Sequence, residues 1–327
     1  MSEASEKQPQ KLSLAARAAW LYYVSRNTQD EIATKLHVSR QAVQRMVSLA
    51  VSEGLIKFRL NHPIAELADL AEQLRTKFGL TYCDVAVTDS PSQELFHGLG
   101  LYAAEYLEGL LTTKAPTTLA FGTGRTLRSM VSYVSAMHLP QHKIVSVVGN
   151  MAHDGRASHF EVVMKLADTI DAQAYLLPTP VLTSSIEEKH SLQKLQGYNS
   201  IRQLAMQAKA VFVGIAEIDW RCPLHLDGFI NDAELADLIE HKAVGEIIGW
   251  AFDKNGKILK EATNKRIASI PLPDLSALPI IAVCGGPIKV KAIVAALRGK
   301  LISGLITDEE TAKAILDSSL DARSNDS

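Results

Sequence analysis

Eight short apolar runs follow one another after residue 81: CDVAVT, TTLAFG, KIVSVVG, AYLLP, AVFVGI, EIIGWAF, IIAVCGG and GLIT. Helical stretches such as LFHGLGLYAAEYLEGLL and RTLRSMVSYVSAM stand between several of them. Runs this short and this evenly apolar are strands buried on both faces, and a helix between two strands lets them lie parallel. The expected fold class over residues 81–327 is therefore α/β, a doubly wound, mostly parallel sheet covered by helices on both sides. A body of this length can bury a large core.

The first 62 residues read differently. Residues 29–48, QDEIATKLHVSRQAVQRMVS, carry Ile32, Ala33 and Leu36 at helical spacing, then a break at His37-Val38, then Val43, Met46 and Val47 at helical spacing again. Thr28 can cap the first helix, with Glu31 completing a capping box, and Ser39 can cap the second through the N–H of Gln41 or Ala42. The pattern predicts a helix-turn-helix, with small Ala33 at the crossing and His37 in the left-handed turn position that glycine usually holds. The DNA-facing set comprises Thr28, Gln29, Ser39, Arg40, Gln41, Gln44 and Arg45, the last four on the outer faces of the second helix. A supporting helix is expected over residues 12–25, a disordered tail over 1–11 and a left-handed stop at Gly54. A short strand, as in winged helix-turn-helix proteins, is a further reading of residues 55–60. Residues 63–80 read as a linker helix, one that pairs with a second subunit or lies on the following domain.

Charge agrees with this division. The whole chain has a formal charge of −2, yet residues 1–62 hold nine Lys or Arg against five Asp or Glu. A basic end on an acidic body points to a polyanion meeting that end alone. Three widely spaced cysteines (Cys83, Cys222 and Cys284) form neither a disulfide framework nor a metal site and fit a reducing cytoplasm. No run is long enough to span a membrane and no secretion signal is read, so a cytoplasmic protein without cofactor or metal is expected.

Two loops follow strands and precede helices, where ligands bind in open α/β sheets. One is Gly122, Thr123, Gly124, Arg125 and Thr126, whose backbone N–H groups and side-chain donors could close on an anion at a helix N-terminus. The spacing is neither that of a P-loop nor GxGxxG. The other is Gly285-Gly286-Pro287-Ile288-Lys289, which sets a cation in a first helical turn, against the helix dipole. Gly149, Asn150 and Glu246 stand at other strand ends, and a carboxylate there could accept from sugar hydroxyls. His138, His142, His153 and His159 are scattered and read as surface residues. No acid and base pair with a recognisable motif stands near the glycine loops.

At this point the residues match a known pattern. The run AAWLYYVSRNTQDEIATKLHVSRQAVQRMVSLAVSEGLI resembles the DNA-binding region of the SorC family of bacterial sugar-responsive transcriptional regulators. AFGTGRTL, SVVGN, HKAVGEIIGWAFDKNG, AVCGGPIKVKAIVAALRGKLI and LITDEETAKAIL resemble its effector region, in the same order. The resemblance implies an effector domain similar in fold to sugar-phosphate isomerases, binding a sugar, polyol or sugar phosphate, in a homo-dimer or homo-tetramer that binds operator DNA. It implies a phosphate-contacting loop at residues 122–126, a phosphate-contacting lysine at Lys289 and an acidic sugar contact at Glu246. The family more often carries Asp at that last position and AGG where this chain has CGG. The expected function is regulation of a carbohydrate or polyol catabolic operon, with repression relieved by the effector. The competing reading is a sugar-phosphate isomerase-like enzyme with an accessory helical module.

Overall fold

The computed structural model describes residues 3–56, 65–87, 94–113, 115–149, 151, 156, 160–220 and 222–318. The chain divides into two compact units, residues 1–63 and 64–327.

The first unit is a three-helix cluster of α1 (Glu3–Tyr23), α2 (Gln29–Leu36) and α3 (Arg40–Ser52). Ile32, Val43 and Val47 close on Ala18 of α1, and Ala15 and Ala19 meet Ala50, so small residues let the helices approach closely. Thr28 and Glu31 form the reciprocal capping box at α2, and the Ser39 hydroxyl accepts from Ala42 N–H at α3. Each cap contributes about 1 kcal/mol. His37 turns the chain between them at φ 54°, ψ 43°, and Gly54 follows α3 at φ 64°. The tail expected over residues 1–11 is corrected: α1 begins at Glu3. Polar composition suggested disorder there, but Glu, Ala, Lys and Gln are also good helix formers. The strand reading of residues 55–60 falls largely outside the described residues.

The second unit opens with α4 (Ala65–Phe78). This is the helix expected over residues 63–80. It buries Leu67, Ala71 and Leu74 and packs on the first strand and the last helix of its own unit. The strands are β1 (Tyr82–Ala86), β2 (Thr118–Phe121), β3 (Lys143–Ser146), β4 (Gln173–Tyr175), β5 (Ala210–Val213), β6 (Ala216–Glu217), β7 (Gly245–Ile247), β8 (Trp250–Phe252), β9 (Ile280–Val283) and β10 (Gly304–Asp308). Seven form one parallel sheet in the order β1-β10-β9-β5-β2-β3-β4. Alternate residues serve opposite faces. Leu119, Phe121, Phe212, Ile281 and Ile306 join one core cluster, while Ala120, Val211, Val213, Ala282 and Leu305 join the other. Helices α5 (Glu94–Leu111) and α6 (Arg125–Tyr133) pack against each other, and their apolar faces close over the first of these clusters.

From β2 the chain winds outward through β3 and β4. From β5 it winds the other way through β9 and β10. The order therefore reverses between the adjacent strands β2 and β5, the point at which such sheets open a crevice beyond their carboxyl ends.

The run EIIGWAF is not a strand of this sheet. It folds as the hairpin β7–β8 beside β6, a small antiparallel sheet in the order β6-β7-β8. Ile248 (φ 47°) and Gly249 (φ 89°) form its two-residue turn. Both signs match the turn type that hairpins favour, although a β-branched residue is strained at positive φ. His142 is also corrected. It is fully buried, and its Nε2 lies 3.1 Å from the Leu111 carbonyl oxygen. His138 is exposed, and His153 and His159 lie outside the described residues.

Candidate functional site

In the first unit, Ser39, Arg40, Gln41, Gln44 and Arg45 are all exposed along the start and outer side of α3. The apolar stripe of Val43 and Val47 faces the other way, which leaves these polar residues free of the core. Arg40 is not idle: its Nε donates to the Gln29 side chain at 3.4 Å, and its guanidinium lies 3.6 Å from Asp30. Thr28 is exposed at the start of α2 and is engaged in its capping box. The arrangement is a helix with exposed forked donors, held by two capped ends, and it can meet base edges or phosphates.

In the second unit a cavity of about 410 Å³ opens at the reversal point of the sheet. It collects residues from four separate strand ends: Thr123, Gly124, Arg125 and Thr126 after β2, Gly214 to Glu217 after β5, Glu246 with Ile248 and Gly249 on the small hairpin, and Lys289 after β9. Gly124 precedes α6 at φ 133°, a conformation that side chains disfavour, and this lets the chain turn sharply from strand into helix. Thr126 is buried in the first turn of α6. Gly122 lies under the loop rather than on the cavity wall, with its N–H donating to the Phe212 carbonyl at 2.8 Å.

The donors of this loop are largely engaged within the protein. Arg125 makes a two-armed contact with Asp227, at 2.9 and 3.2 Å, and its guanidinium carbon stands 4.3 Å from the centre of the Phe160 ring. The Thr123 hydroxyl donates to the Phe160 carbonyl. Lys289 is half-buried at the end of a short 3-10 turn, with no ion pair among the described residues.

The Glu246 carboxylate accepts from Gly249 N–H at 2.6 Å across the hairpin turn. Burial pushes its carboxyl up to about 7, and neighbouring Glu217 adds to this. The Gly249 N–H and the Lys289 ammonium act in the opposite direction. Glu217 also lines the cavity, and its Oε2 is withdrawn from solvent with no hydrogen-bond donor among the described residues.

Two expected positions serve packing instead. A Cβ on Gly149 would fall 2.2 Å from the Thr179 carbonyl oxygen, so Gly149 allows two backbones to touch and does not line the cavity. Asn150 lies outside the described residues. The pair Gly285-Gly286 likewise admits a buried carboxylate: a Cβ on Gly285 would fall 2.0 Å from Asp308 Oδ2. Gly286 N–H donates to Asp308 and to Thr311, at 3.2 and 2.7 Å.

Phe160, Asp227 and Glu217 are cavity residues that the motif search did not reach. Neither Asp227 nor Phe160 follows an apolar run of the sheet, and the Asp227-Gly228 pair reads by itself only as a turn. The strand-end argument applied to AVFVGIAE would have led to Glu217. Among the described residues no group of His, Cys, Asp or Glu is arranged to hold a metal, and no helix is long and apolar enough to cross a membrane.

A helix-turn-helix unit followed by an α/β unit whose sheet reversal holds a largely apolar cavity with charged groups on its wall is the build of a ligand-responsive regulator of transcription. The chain belongs to the SorC family of sugar-binding transcriptional regulators. The family model described as "Putative sugar-binding domain" matches residues 62–317. The erythritol catabolism regulatory protein EryD from Brucella abortus is 30% identical over 304 residues, covering 93% of this chain and 96% of that one. The deoxyribonucleoside regulator from Bacillus subtilis is 29% identical over 310 residues, 94% of this chain and 98% of that one. The solved full-length sorbitol operon regulator SorC from Klebsiella pneumoniae shares the fold, with a TM-score of 0.72 at 24% identity over 93% of this chain and 98% of that one. These relatives are regulators, which sets aside the isomerase-like enzyme reading.

Proposed function

We propose that this protein binds operator DNA through α3 and controls a carbohydrate or polyol catabolic operon in response to a small polyhydroxylated effector. The supporting observation is the cavity itself. Residues 123–126, Glu246 and Lys289 are far apart in the chain and converge on one space at the reversal of the sheet. Acidic and basic groups around an apolar wall are what a sugar-like ligand needs, since its hydroxyls both donate and accept while its C–H faces are apolar.

Arg40, Gln41, Gln44 and Arg45 contact the major groove, with Thr28, Gln29 and Ser39 at the helix starts beside the phosphates. The protein acts as a homo-dimer or homo-tetramer, because one recognition helix reads only a few base pairs and a symmetric pair doubles the site. The effector shifts DNA affinity by as much as its own affinity differs between the DNA-competent and released states. Release of DNA on effector binding, hence repression, is the expected sign.

The test has two stages. Selection from a random duplex library gives an operator sequence, and anisotropy titration on it is then repeated with sugars, polyols and their phosphates. A compound that changes the operator Kd and also raises the melting temperature of the protein supports the reading. Failure to enrich any duplex sequence would overturn it.

A further inference from the structure

We infer that the cavity takes an uncharged sugar or polyol rather than a phosphate ester, with Glu246 and Glu217 accepting its hydroxyl groups. The inference deepens the effector reading above and rests on it. Its first support is the state of Arg125. This is the cation of the loop that would hold a phosphate, and both arms of its guanidinium are held by Asp227 while its face lies over Phe160. Asp227 thus stands where a phosphate would place its charge. A phosphorylated ligand would have to displace it or leave Arg125 unused.

The second support is the balance of charge around the cavity. Among the described residues, three carboxylate residues (Glu217, Asp227 and Glu246) line it against two cations, Arg125 and Lys289. With Arg125 and Asp227 paired, a phosphate dianion would meet one lysine and two further carboxyl groups. A phosphate there would either meet their negative charge, which is disfavoured in a partly dry site, or have to hold Glu246 in its protonated form. Hydroxyl groups reverse the argument, because an ionised carboxylate can only accept and a hydroxyl supplies the donor. The third support is the Glu217 Oε2, withdrawn from solvent without a donor among the described residues. A buried acceptor left unmatched is costly, and a ligand hydroxyl meeting Glu217 after a side-chain rotation removes that cost. The Thr123 hydroxyl, a further donor for an anion, is already given to the Phe160 carbonyl.

The experiment is calorimetric titration of the full chain with erythritol, xylitol, sorbitol and ribose, with the monophosphate ester of each, and with inorganic phosphate. The expected result is an uncharged compound that binds at least about ten-fold tighter than its own phosphate ester. Asp227→Asn releases Arg125 and should move that ratio by about ten-fold towards the ester, the scale of one charge-assisted hydrogen bond. Glu217→Ala should weaken the uncharged compound by about ten-fold at unchanged circular dichroism. Tighter binding of the phosphate ester to the unmodified chain overturns the inference and leaves the effector reading standing. Absence of binding by every compound, in protein that still holds operator DNA, overturns both. Equal affinity of the Glu217→Ala variant removes Glu217 from the site.

Discussion

Replacing Glu246 by Gln removes a carboxyl group that ionises in the wrong place for stability. In the unfolded chain this group titrates near 4.5, and in the folded protein near 7. The sign follows directly. Above pH 4.5 the unfolded chain gives up its proton while the native cavity keeps it, so unfolding becomes easier as pH rises towards 7 and the loss is complete above it. At about 1.4 kcal/mol per pKa unit, wild type forfeits about 3 kcal/mol between pH 4.5 and pH 8. Burial is the main cause; the Gly249 N–H and Lys289 only partly offset it, and Glu217 adds a smaller repulsion. The glutamine side chain has no charge to bury and its carbonyl oxygen can still accept from Gly249. Glu246→Gln should therefore gain on wild type by up to about 3 kcal/mol across that range, or about 5–10 °C in melting temperature for a unit of this size. The assay is thermal melting of both proteins, without effector, at steps between pH 5 and pH 8. Two curves that stay parallel would refute the reasoning, because they would mean that Glu246 titrates alike in both states. The same variant should lose effector affinity, since an amide is a poorer acceptor than a carboxylate.

Arg45→Ala should weaken operator binding by roughly 1–3 kcal/mol if it touches a base edge, with relaxed specificity, and Arg40→Ala similarly after loss of its contacts to Gln29 and Asp30. Gel shifts on operator and random DNA separate base from phosphate contacts. Lys289→Ala should leave effector-free operator binding intact and cost the uncharged effector about 0.5–1.5 kcal/mol, roughly two- to twelve-fold, read by calorimetry. Gly285→Ala should destabilise the second unit by about 1–3 kcal/mol, read by urea melts, because the added methyl would collide with Asp308. Sedimentation with operator DNA should show a dimer or tetramer in the complex.

Local chemistry was the most legible part of the sequence. The Thr28 and Ser39 caps, the left-handed His37 and the Gly54 stop depend on neighbours within four residues, and each is visible in a short window. The strands were legible because burial on both faces leaves unbroken apolar runs such as AVFV and IIAV. The hairpin in EIIGWAF was hidden for a physical reason: its turn carries Ile248, a residue that favours strands, where Asn-Gly would have announced a turn. The cavity was half legible. Strand-end logic reached residues 123–126, Glu246 and Lys289, each from its own segment. It could not show that Asp227, about a hundred residues away, takes up Arg125, nor that the Gly285-Gly286 pair makes room for Asp308 rather than for a ligand. Those are facts of tertiary packing, and only the folded chain brings the partners together.

The link between Gly286 and the last helix carries a mechanical consequence. Gly286 is three residues before Lys289, and its N–H is clamped by Asp308 and Thr311 at the start of the helix Glu309–Ser318. That helix lies along α4, and Lys77 near the end of α4 donates to the Leu316 carbonyl at 2.9 Å. A ligand that pulls on Lys289 would thus act on a hydrogen-bonded path that ends on α4. The first turn of α4 is where the chain arrives from the DNA-binding unit. Effector binding should register as slowed amide exchange along α4, well away from the cavity, and Thr311→Val, which cuts one clamp, should mute that signal while the ligand still binds.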